Sequence, residues 1–127
     1  MIKFYECKTC GNILVLQEET GVIPVCCGKT VVEMVPQKDD GPKEKHVPVI
    51  TVKDDEVCVK VGEVEHPMSE EHYIKWIVLE TNMGKHKRIL NPNDKPMACF
   101  KLASGEEPIS AYIYCNIHSL WMNVYEK

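Results

Sequence analysis

The chain has 127 residues and a mass of 14.5 kDa, enough for one ordinary domain or for one domain with a small additional unit. Apolar residues make up 44% and charged residues 27%, which is typical of globular proteins and not of disordered or fibrous ones. Fifteen basic and nineteen acidic side chains give a net charge of −4, which argues against a general nucleic-acid-binding protein. No apolar run approaches the ~18–20 residues that span a bilayer, and the N-terminus lacks the apolar core of a secretory signal. We therefore expect a cytoplasmic protein without a membrane or nucleic-acid partner.

Residues 1–36 are predicted to form a small unit of short strands. The runs IKFYEC, ILVLQEE and TVVEMV resemble strands, and Gly11-Asn12 and Cys27-Gly28-Lys29 supply the turns between them. So short a segment buries too little apolar surface to fold alone, so this unit requires a metal ion or a partner. The polar stretch 37–43, which contains Gly-Pro, is predicted to be a linker.

Residues 44–127 are predicted to form a β-sandwich. Turn-forming residues separate seven short runs that are rich in β-branched and aromatic residues: VPVITV, EVCVKVGEVE, YIKWIVLET, KRIL, MACFKL, ISAYIYC and LWMNVY. In the second run, valines alternate with Cys58, Lys60 and Gly62, which is the period of a half-buried strand. No segment keeps a helical period over three turns. The predicted fold class of the whole chain is therefore all-β.

Four of the seven cysteines lie in the first 27 residues. An odd count without a secretory signal argues against a secreted disulfide framework, and clustered cysteines in a reducing compartment more often bind metal. Cys7-x2-Cys10 is followed after fifteen residues by Cys26-Cys27, and four thiolates fit a tetrahedral zinc or iron ion. On spacing alone, a zinc ion that only holds the unit together remains an alternative.

A second set of potential metal ligands lies at the ends of the predicted strands. The segments EKHVP, EHPM, EHY and YCNIH contain four of the five histidines, and Cys115-x2-His118 has a spacing that is common for two ligands in one loop. Imidazoles with one thiolate favour iron, copper or zinc over magnesium or calcium. Zinc usually takes four ligands, so five candidates indicate a metal that accepts five or six. Taken singly, each histidine is more often an ordinary surface residue, and that alternative stays open here.

The motifs resemble those of a known family. The arrangement CxxC-x15-CC, followed by Gly28, is similar to desulforedoxin, a small ferric rubredoxin-like module. The segments EKHVPVI, VEHPMSEEHYIKWI and YCNIHSLW resemble the three signature segments of superoxide reductases. With the cysteine arrangement first and the three segments after it, essentially the whole chain resembles the desulfoferrodoxin family, whose members are the two-iron form of these enzymes.

The resemblance implies a desulforedoxin-like unit followed by an immunoglobulin-like β-sandwich, in a homodimer with two irons per chain. A ferric centre with four cysteine ligands lies in the first unit. A centre with four histidine ligands and one cysteine ligand, which cycles between ferrous and ferric iron, lies in the second. The implied ligands are Cys7, Cys10, Cys26 and Cys27 for the first iron, and His46, His66, His72, Cys115 and His118 for the second.

The activity implied by the resemblance is the one-electron reduction of superoxide to hydrogen peroxide, with electrons from a small donor such as rubredoxin. Two catalytic residues are implied by the EKH motif. Lys45 is expected to attract the superoxide anion and to orient a proton-donating water, and Glu44 is expected to bind the ferric iron. The alternatives are an electron-transfer protein with two iron centres and no catalysis, a zinc-binding interaction module, and a superoxide dismutase.

Five residues outside these assignments carry further expectations. His86, in a basic turn, is expected to be exposed. Cys58 and Cys99 are expected to be structural, although partial exposure would make either a target of oxidation. Trp121 is expected to shield the second metal, and Asn116 to supply a turn.

Overall fold

The structure, a computed structural model, describes residues 1–39, 41 and 45–127. It divides into two compact units, Met1–Val35 and Pro36–Lys127. The described residues form twelve strands and no α-helix, which confirms the all-β prediction. Within this part of the chain, no helix has the length and apolar character needed to cross a membrane.

The N-terminal unit is built from very short strands around a small core. Its strands are β1 (Tyr5–Glu6), β2 (Ile13–Leu14), β3 (Val25–Cys26), β4 (Lys29–Thr30) and β5 (Val32–Glu33). They form one sheet in the order β2-β1-β5 and one separate β3-β4 hairpin. One buried cluster contains Tyr5, Cys7 and Val31, and few other apolar side chains of this unit are buried among the described residues. The sequence predicts three longer strands here, but each pairs over only two residues, and a core of this size requires a further crosslink such as a metal.

The second unit is a sandwich of two antiparallel sheets. Its strands are β6 (Pro48–Lys53), β7 (Glu56–Val61), β8 (Ile74–Thr81), β9 (Gly84–Ile89), β10 (Met97–Lys101), β11 (Pro108–Cys115) and β12 (Ser119–Val124). One sheet has the order β10-β7-β6 and the other β12-β11-β8-β9. The seven strands predicted from the apolar runs are all present.

The core of the sandwich follows the two-residue period of the strands. On β7, Val57, Val59 and Val61 are fully buried, whereas Cys58 and Lys60 lie on the other face. The inner strands β8 and β11 are buried over most of their length, as expected from their more continuous apolar runs. Residues of both sheets pack in one cluster, so the sandwich is a rigid support for the loops at its ends.

Glu106 links the loop before β11 to the β8–β9 hairpin. Its Oε2 accepts hydrogen bonds from Thr81 Oγ1 at 2.6 Å and from His86 Nε2 at 2.8 Å. Its Oε1 accepts one from the backbone N–H of Ala103 at 3.0 Å. The expectation that His86 is exposed is wrong: His86 lies on β9 and bonds to Glu106, twenty residues away, and its side chain is only 32% exposed.

These hydrogen bonds, above all that from Thr81, lower the pKa of Glu106 to about 2. A carboxyl whose pKa is lower in the folded than in the unfolded chain adds stability above its unfolded pKa, and this contribution disappears as the pH falls from about 4.5 towards 2. We therefore expect Glu106→Gln to have a lower melting temperature than wild type at neutral pH, with the difference shrinking in acid. Thermal unfolding from about pH 6 to pH 2 measures this. The control is Glu107→Gln, an exposed neighbour, and equal pH profiles for the two variants would refute the assignment.

Candidate metal centres

The four N-terminal cysteines converge on one point. The Cys10 and Cys26 sulfurs are 3.7 Å apart and those of Cys26 and Cys27 are 4.0 Å apart. The four sulfur atoms lie within 4.8 Å of one another. The structure thus brings together all four predicted ligands of the first centre.

The backbone explains how two adjacent cysteines reach the same point. In a regular strand, neighbouring side chains point to opposite faces. Here Cys27 has a φ of 53° and Gly28 a φ of 75°, so the chain leaves the extended conformation directly after β3. A left-handed conformation is unfavourable for a residue with a Cβ, and a bound metal would compensate its cost.

The pKa values of the cysteines indicate that this cluster needs a cation to hold its sulfurs as thiolates. The backbone N–H of Cys10, 3.5 Å from the Cys7 sulfur, is the main cause that lowers the pKa of Cys7 to about 6. Hydrogen bonding with Cys10, then with Cys7 and Cys26, raises the pKa of Cys27 to about 12. The Cys7 thiolate is therefore favoured in this cluster, whereas a Cys27 thiolate is disfavoured unless a positive ion is bound beside it. Four sulfur donors around one point fit iron or zinc.

Four histidines form a ring at one end of the sandwich. His46 precedes β6, His66 and His72 lie between β7 and β8, and His118 lies in the turn between β11 and β12. Going round the ring, neighbouring imidazole centroids are 4.7, 4.7, 5.0 and 4.8 Å apart. The His46 and His72 centroids, across the ring, are 6.5 Å apart. Four rings from separate segments thus face one small space.

Cys115, the last residue of β11, adds a sulfur to the ring of histidines. Ligand atoms of His46, His66, His72 and Cys115 lie within 4.8 Å of one another. His118 contributes Nδ1, which is 3.8 Å from the Cys115 sulfur and 3.1 Å from His46 Nε2. The structure therefore brings together all five residues predicted for the second centre.

Two nitrogen atoms of this site have no other role among the described residues. His66 Nε2 and His72 Nε2 are buried and have no hydrogen-bond partner there. Buried polar atoms are normally paired, so two unpaired imidazole nitrogens facing a common space indicate a ligand. Imidazole nitrogens with one thiolate are a donor set for a transition metal. The residues therefore fit an iron ion, which would take the five side chains as ligands.

Contacts outside the donor atoms orient the ligands. His66 Nδ1 lies 2.7 Å from the Pro67 carbonyl oxygen and donates to it, which leaves Nε2 free to bind metal. Trp121 stacks on His46 with a centroid distance of 4.6 Å, and its Nε1 donates to the His118 carbonyl at 2.9 Å. Trp121 thus fixes two ligands at once and covers one side of the site, as expected from the sequence.

Burial favours the neutral form of two of the histidines and opposes a free Cys115 thiolate. It lowers the pKa of His66 to about 4 and also lowers that of His72. Neutral imidazoles are the form that binds metal. Burial raises the pKa of Cys115. The backbone N–H groups of His118, whose nitrogen lies 3.4 Å from the sulfur, and of Ile117 act in the opposite direction and lower it. These donors and a metal cation together would stabilise the Cys115 thiolate.

Of the two predicted catalytic residues, Lys45 is described and Glu44 lies outside the described residues. Lys45 is partly exposed, and its positive charge contributes to the lowered pKa of His72. The segment that carries it is held by Gly62, whose N–H donates to the Val47 carbonyl at 3.2 Å. Gly62 has a φ of +78°, and a Cβ on it would lie 2.5 Å from the Lys45 carbonyl oxygen.

Asn116 joins the loop of His72 to the loop of Cys115 and His118. Its Oδ1 accepts a hydrogen bond from the Tyr73 N–H at 2.9 Å, and its Nδ2 donates to the Glu71 carbonyl at 3.0 Å. Its own N–H donates to the Tyr73 carbonyl at 3.1 Å. The sequence suggests only a turn here. The bonds between the loops span more than forty residues, and no local pattern reveals them.

We expect Asn116→Ala to weaken metal binding at the second centre by about tenfold to a hundredfold, because two ligand loops lose their link. The control is Asn82→Ala, which also breaks two side-chain hydrogen bonds between loops, beyond the far end of the eight-residue strand β8. Each variant should lose about 1–3 kcal/mol of unfolding free energy. Competition of a chelator for ferrous iron measures the affinity, and equal affinities in both variants would contradict the proposed link.

Comparisons with known proteins agree with this arrangement. The family model for desulfoferrodoxin matches residues 38–124. A desulfoferrodoxin of Syntrophotalea carbinolica is 46% identical over 121 residues, which cover 94% of each chain. A desulfoferrodoxin homolog of Archaeoglobus fulgidus is 44% identical over 124 residues, which cover 97% of each chain. The crystal structure of the superoxide reductase from Treponema pallidum matches with a TM-score of 0.82 at 31% identity, over 97% of this chain and 98% of that one.

Proposed function

Because this chain belongs to the desulfoferrodoxin family, we propose that it reduces superoxide to hydrogen peroxide at the His–Cys centre, using electrons from an external donor. The family membership confirms the resemblance found in the sequence motifs. The chain is an oxidoreductase of the superoxide reductase type, and its two clusters correspond to the two iron centres of the family. The main support is the ring of four imidazoles next to a single buried cysteine.

The proposed ligands follow the two clusters. Cys7, Cys10, Cys26 and Cys27 hold the first iron, and His46, His66, His72, Cys115 and His118 hold the second. We assign the first centre to a domain of residues 1–36, the second to a domain of residues 44–127, and a linker to 37–43. The compact units Met1–Val35 and Pro36–Lys127 support a division into two domains near residue 36, whereas the proposed linker falls within the second unit.

Iron bound at the His–Cys centre supplies the one-electron chemistry, as it alternates between the ferrous and ferric states. Superoxide takes up one electron and two protons to become hydrogen peroxide, so no dioxygen is formed and a donor must replace the electron. The side chains prepare the site for this step. As a thiolate, stabilised by a metal ion and by the N–H groups of His118 and Ile117, Cys115 would be a negative donor to the iron, and Trp121 covers one face of the His46 ring.

Lys45 supplies the positive charge that an anionic substrate needs. The net charge of −4 disfavours anions, so the local potential at the site decides whether superoxide approaches. The charge of Lys45 acts on His72, and its partial exposure gives it access to water that can deliver a proton. Glu44 is proposed as a carboxylate ligand of the ferric state, since carboxylates are hard ligands that prefer ferric to ferrous iron.

Replacing Lys45 with methionine keeps the length of the side chain and removes its charge. We expect the second-order rate constant of the reduced protein with superoxide to fall about tenfold to a hundredfold, with a weaker dependence on ionic strength. Rapid mixing at several salt concentrations measures both quantities. The control is Lys53→Met, an equal loss of charge at an exposed position of β6. Equal salt dependence in the two variants would exclude an electrostatic role for Lys45.

Product stoichiometry distinguishes the proposed function from its alternatives. A reductase yields one hydrogen peroxide per superoxide and no dioxygen. A dismutase yields half as much peroxide, together with dioxygen. In an electron carrier without catalysis, superoxide would oxidise the His–Cys centre no faster than other oxidants do. Parallel peroxide and dioxygen electrodes on the donor-reduced protein separate these outcomes.

Three further properties are proposed with the family resemblance as their support. The reaction consumes electrons, which requires a donor, and we propose a small protein such as rubredoxin. We propose a homodimer, which is supported by exposed apolar side chains on the N-terminal unit, such as Val22, Val25 and Val35. A cytoplasmic location, expected from the sequence, also remains a proposal.

A further inference from the structure

A disulfide joins Cys58 on β7 to Cys99 on β10, apart from both metal centres. The two residues are directly opposite each other in the antiparallel pair, and their Cα atoms are 4.0 Å apart. Opposite residues in antiparallel strands lie about 4.5–5.5 Å apart even without a bond between them. The hydrogen bonding of the sheet therefore keeps the two sulfurs adjacent whether or not they are joined. The bond can form or open without refolding of the chain.

The two cysteines lie on the outer face of the three-stranded sheet. Their neighbours Val57, Val59, Ala98 and Phe100 are buried in the core, whereas both cysteines are partly exposed. The core contacts of β7 and β10 therefore do not depend on the sulfur atoms. Small oxidants and thiols in solution have access to the pair.

Two charged side chains contact the cysteine pair, one at a backbone oxygen and one at a sulfur. The guanidinium of Arg88 donates to the carbonyl oxygen of Cys99 at 3.2 Å. Glu56 Oε1 lies 3.9 Å from the Cys58 sulfur. The Glu56 carboxylate can accept the proton of the Cys58 thiol, whereas Arg88 contacts only the backbone of Cys99. One sulfur of the pair therefore has a proton acceptor beside it.

We propose that Cys58 and Cys99 form a reversible dithiol–disulfide couple, which hydrogen peroxide closes and a dithiol reductant opens. One thiolate attacks peroxide, which breaks the O–O bond and leaves a sulfenic acid and one water after protonation. The second thiol then displaces the hydroxyl group as a second water and forms the S–S bond. In sum, two thiols and one hydrogen peroxide give one disulfide and two waters. Opening transfers two electrons and two protons from the external dithiol, which itself becomes a disulfide.

The inference rests on the proposed function for its oxidant, because hydrogen peroxide is the product of superoxide reduction. The protein would then carry a second redox site that responds to its own product. A purely structural crosslink is the competing interpretation. Such a bond would stay closed in a dithiol solution for as long as the chain remains folded.

Peptide mapping of the full-length iron-loaded protein separates the two interpretations. The protein is reduced anaerobically with dithiothreitol, freed of reductant, treated with one equivalent of hydrogen peroxide, alkylated and digested with trypsin. Cleavage isolates the two cysteines in peptides 54–60 and 89–101, away from all metal ligands. The linked pair should rise from about a tenth to about nine tenths of the total, and dithiothreitol should reverse this. Circular dichroism should show a folded chain throughout.

Two outcomes would overturn the couple: a bond that dithiothreitol opens only after unfolding, or thiols that peroxide leaves free or oxidises singly. Cys58→Ser is the matched control, which cannot form the linked pair and should reduce superoxide as wild type does. Superoxide given to the ferrous protein should close the bond, and catalase should prevent this closure. If the bond still closes in the presence of catalase, peroxide is not the oxidant. If added peroxide closes the bond but the protein makes none from superoxide, the proposed function fails and the thiol chemistry stands.

Discussion

Replacing His66 with alanine is expected to remove iron from the His–Cys centre and to abolish superoxide reduction. His66 is 2% exposed, and its Nε2 has no partner among the described residues, so a metal is its remaining role. Its ring is 4.7 Å from both His46 and His72, and alanine would open the ring of imidazoles between them. We expect iron affinity at this centre to fall by at least about a hundredfold. Elemental analysis should then show a loss of iron at this centre alone, with the four-cysteine centre unchanged.

The matched control is His86→Ala, which removes the one histidine outside the proposed centres. His86 packs near Phe100 and bonds to Glu106, so its loss should lower stability without changing the iron content. If His66→Ala keeps both irons and its activity, the ring of imidazoles is not the catalytic centre.

Gly62→Ala is expected to damage both stability and metal binding, although residue 62 is no ligand. A Cβ at this position would lie 2.5 Å from the Lys45 carbonyl oxygen and 2.7 Å from the Val64 carbonyl oxygen. Both atoms belong to the backbone, so relieving the two contacts would displace the segment that carries Lys45 and His46 and also the loop after β7 that carries Val64. The φ of +78° adds the strain of a left-handed alanine. The collision and the backbone strain together are expected to lower the unfolding free energy by about 3 kcal/mol or more. Iron occupancy at the second centre should also be reduced.

Gly105→Ala separates the collision from the backbone strain. Gly105 has nearly the same φ, +80°, but a Cβ there would meet only the Met83 side chain, at 3.6 Å. It should lose about 1–2 kcal/mol and keep its iron. Urea unfolding with parallel iron analysis measures both effects. Similar losses in the two variants would mean that the contact with Lys45 does not limit this position.

The sandwich is predictable from the sequence because the patterns that define its strands and turns lie within short segments. Valines at alternate positions of β7 define one buried face, and turn residues separate all seven strands. The short strands of the N-terminal unit are less predictable. Runs such as ILVLQEE are apolar enough for a longer strand, but pairing stops after Ile13–Leu14. There the spacing of the cysteines is the stronger indication.

The sites are predictable only in part, because they combine residues from distant segments. The Cys-x2-His spacing suggests Cys115 and His118, whereas only the resemblance to the family motifs implies that His46, His66 and His72 belong to the same site. Nothing in the sequence pairs Cys58 with Cys99, because that pairing depends on the register of β7 against β10. The links of Asn116 to the loop of His72, and of His86 to Glu106, depend in the same way on which strands lie side by side.

The most direct test is to mix ascorbate-reduced protein, purified from iron-replete cells, with superoxide while recording the visible spectrum and the metal content. We expect two irons per chain and rapid oxidation of the ferrous His–Cys centre, seen as a new thiolate-to-ferric absorption band. One hydrogen peroxide should form for each centre oxidised, without dioxygen. A His–Cys centre without iron, or a spectrum that superoxide leaves unchanged, would contradict superoxide reduction at this site.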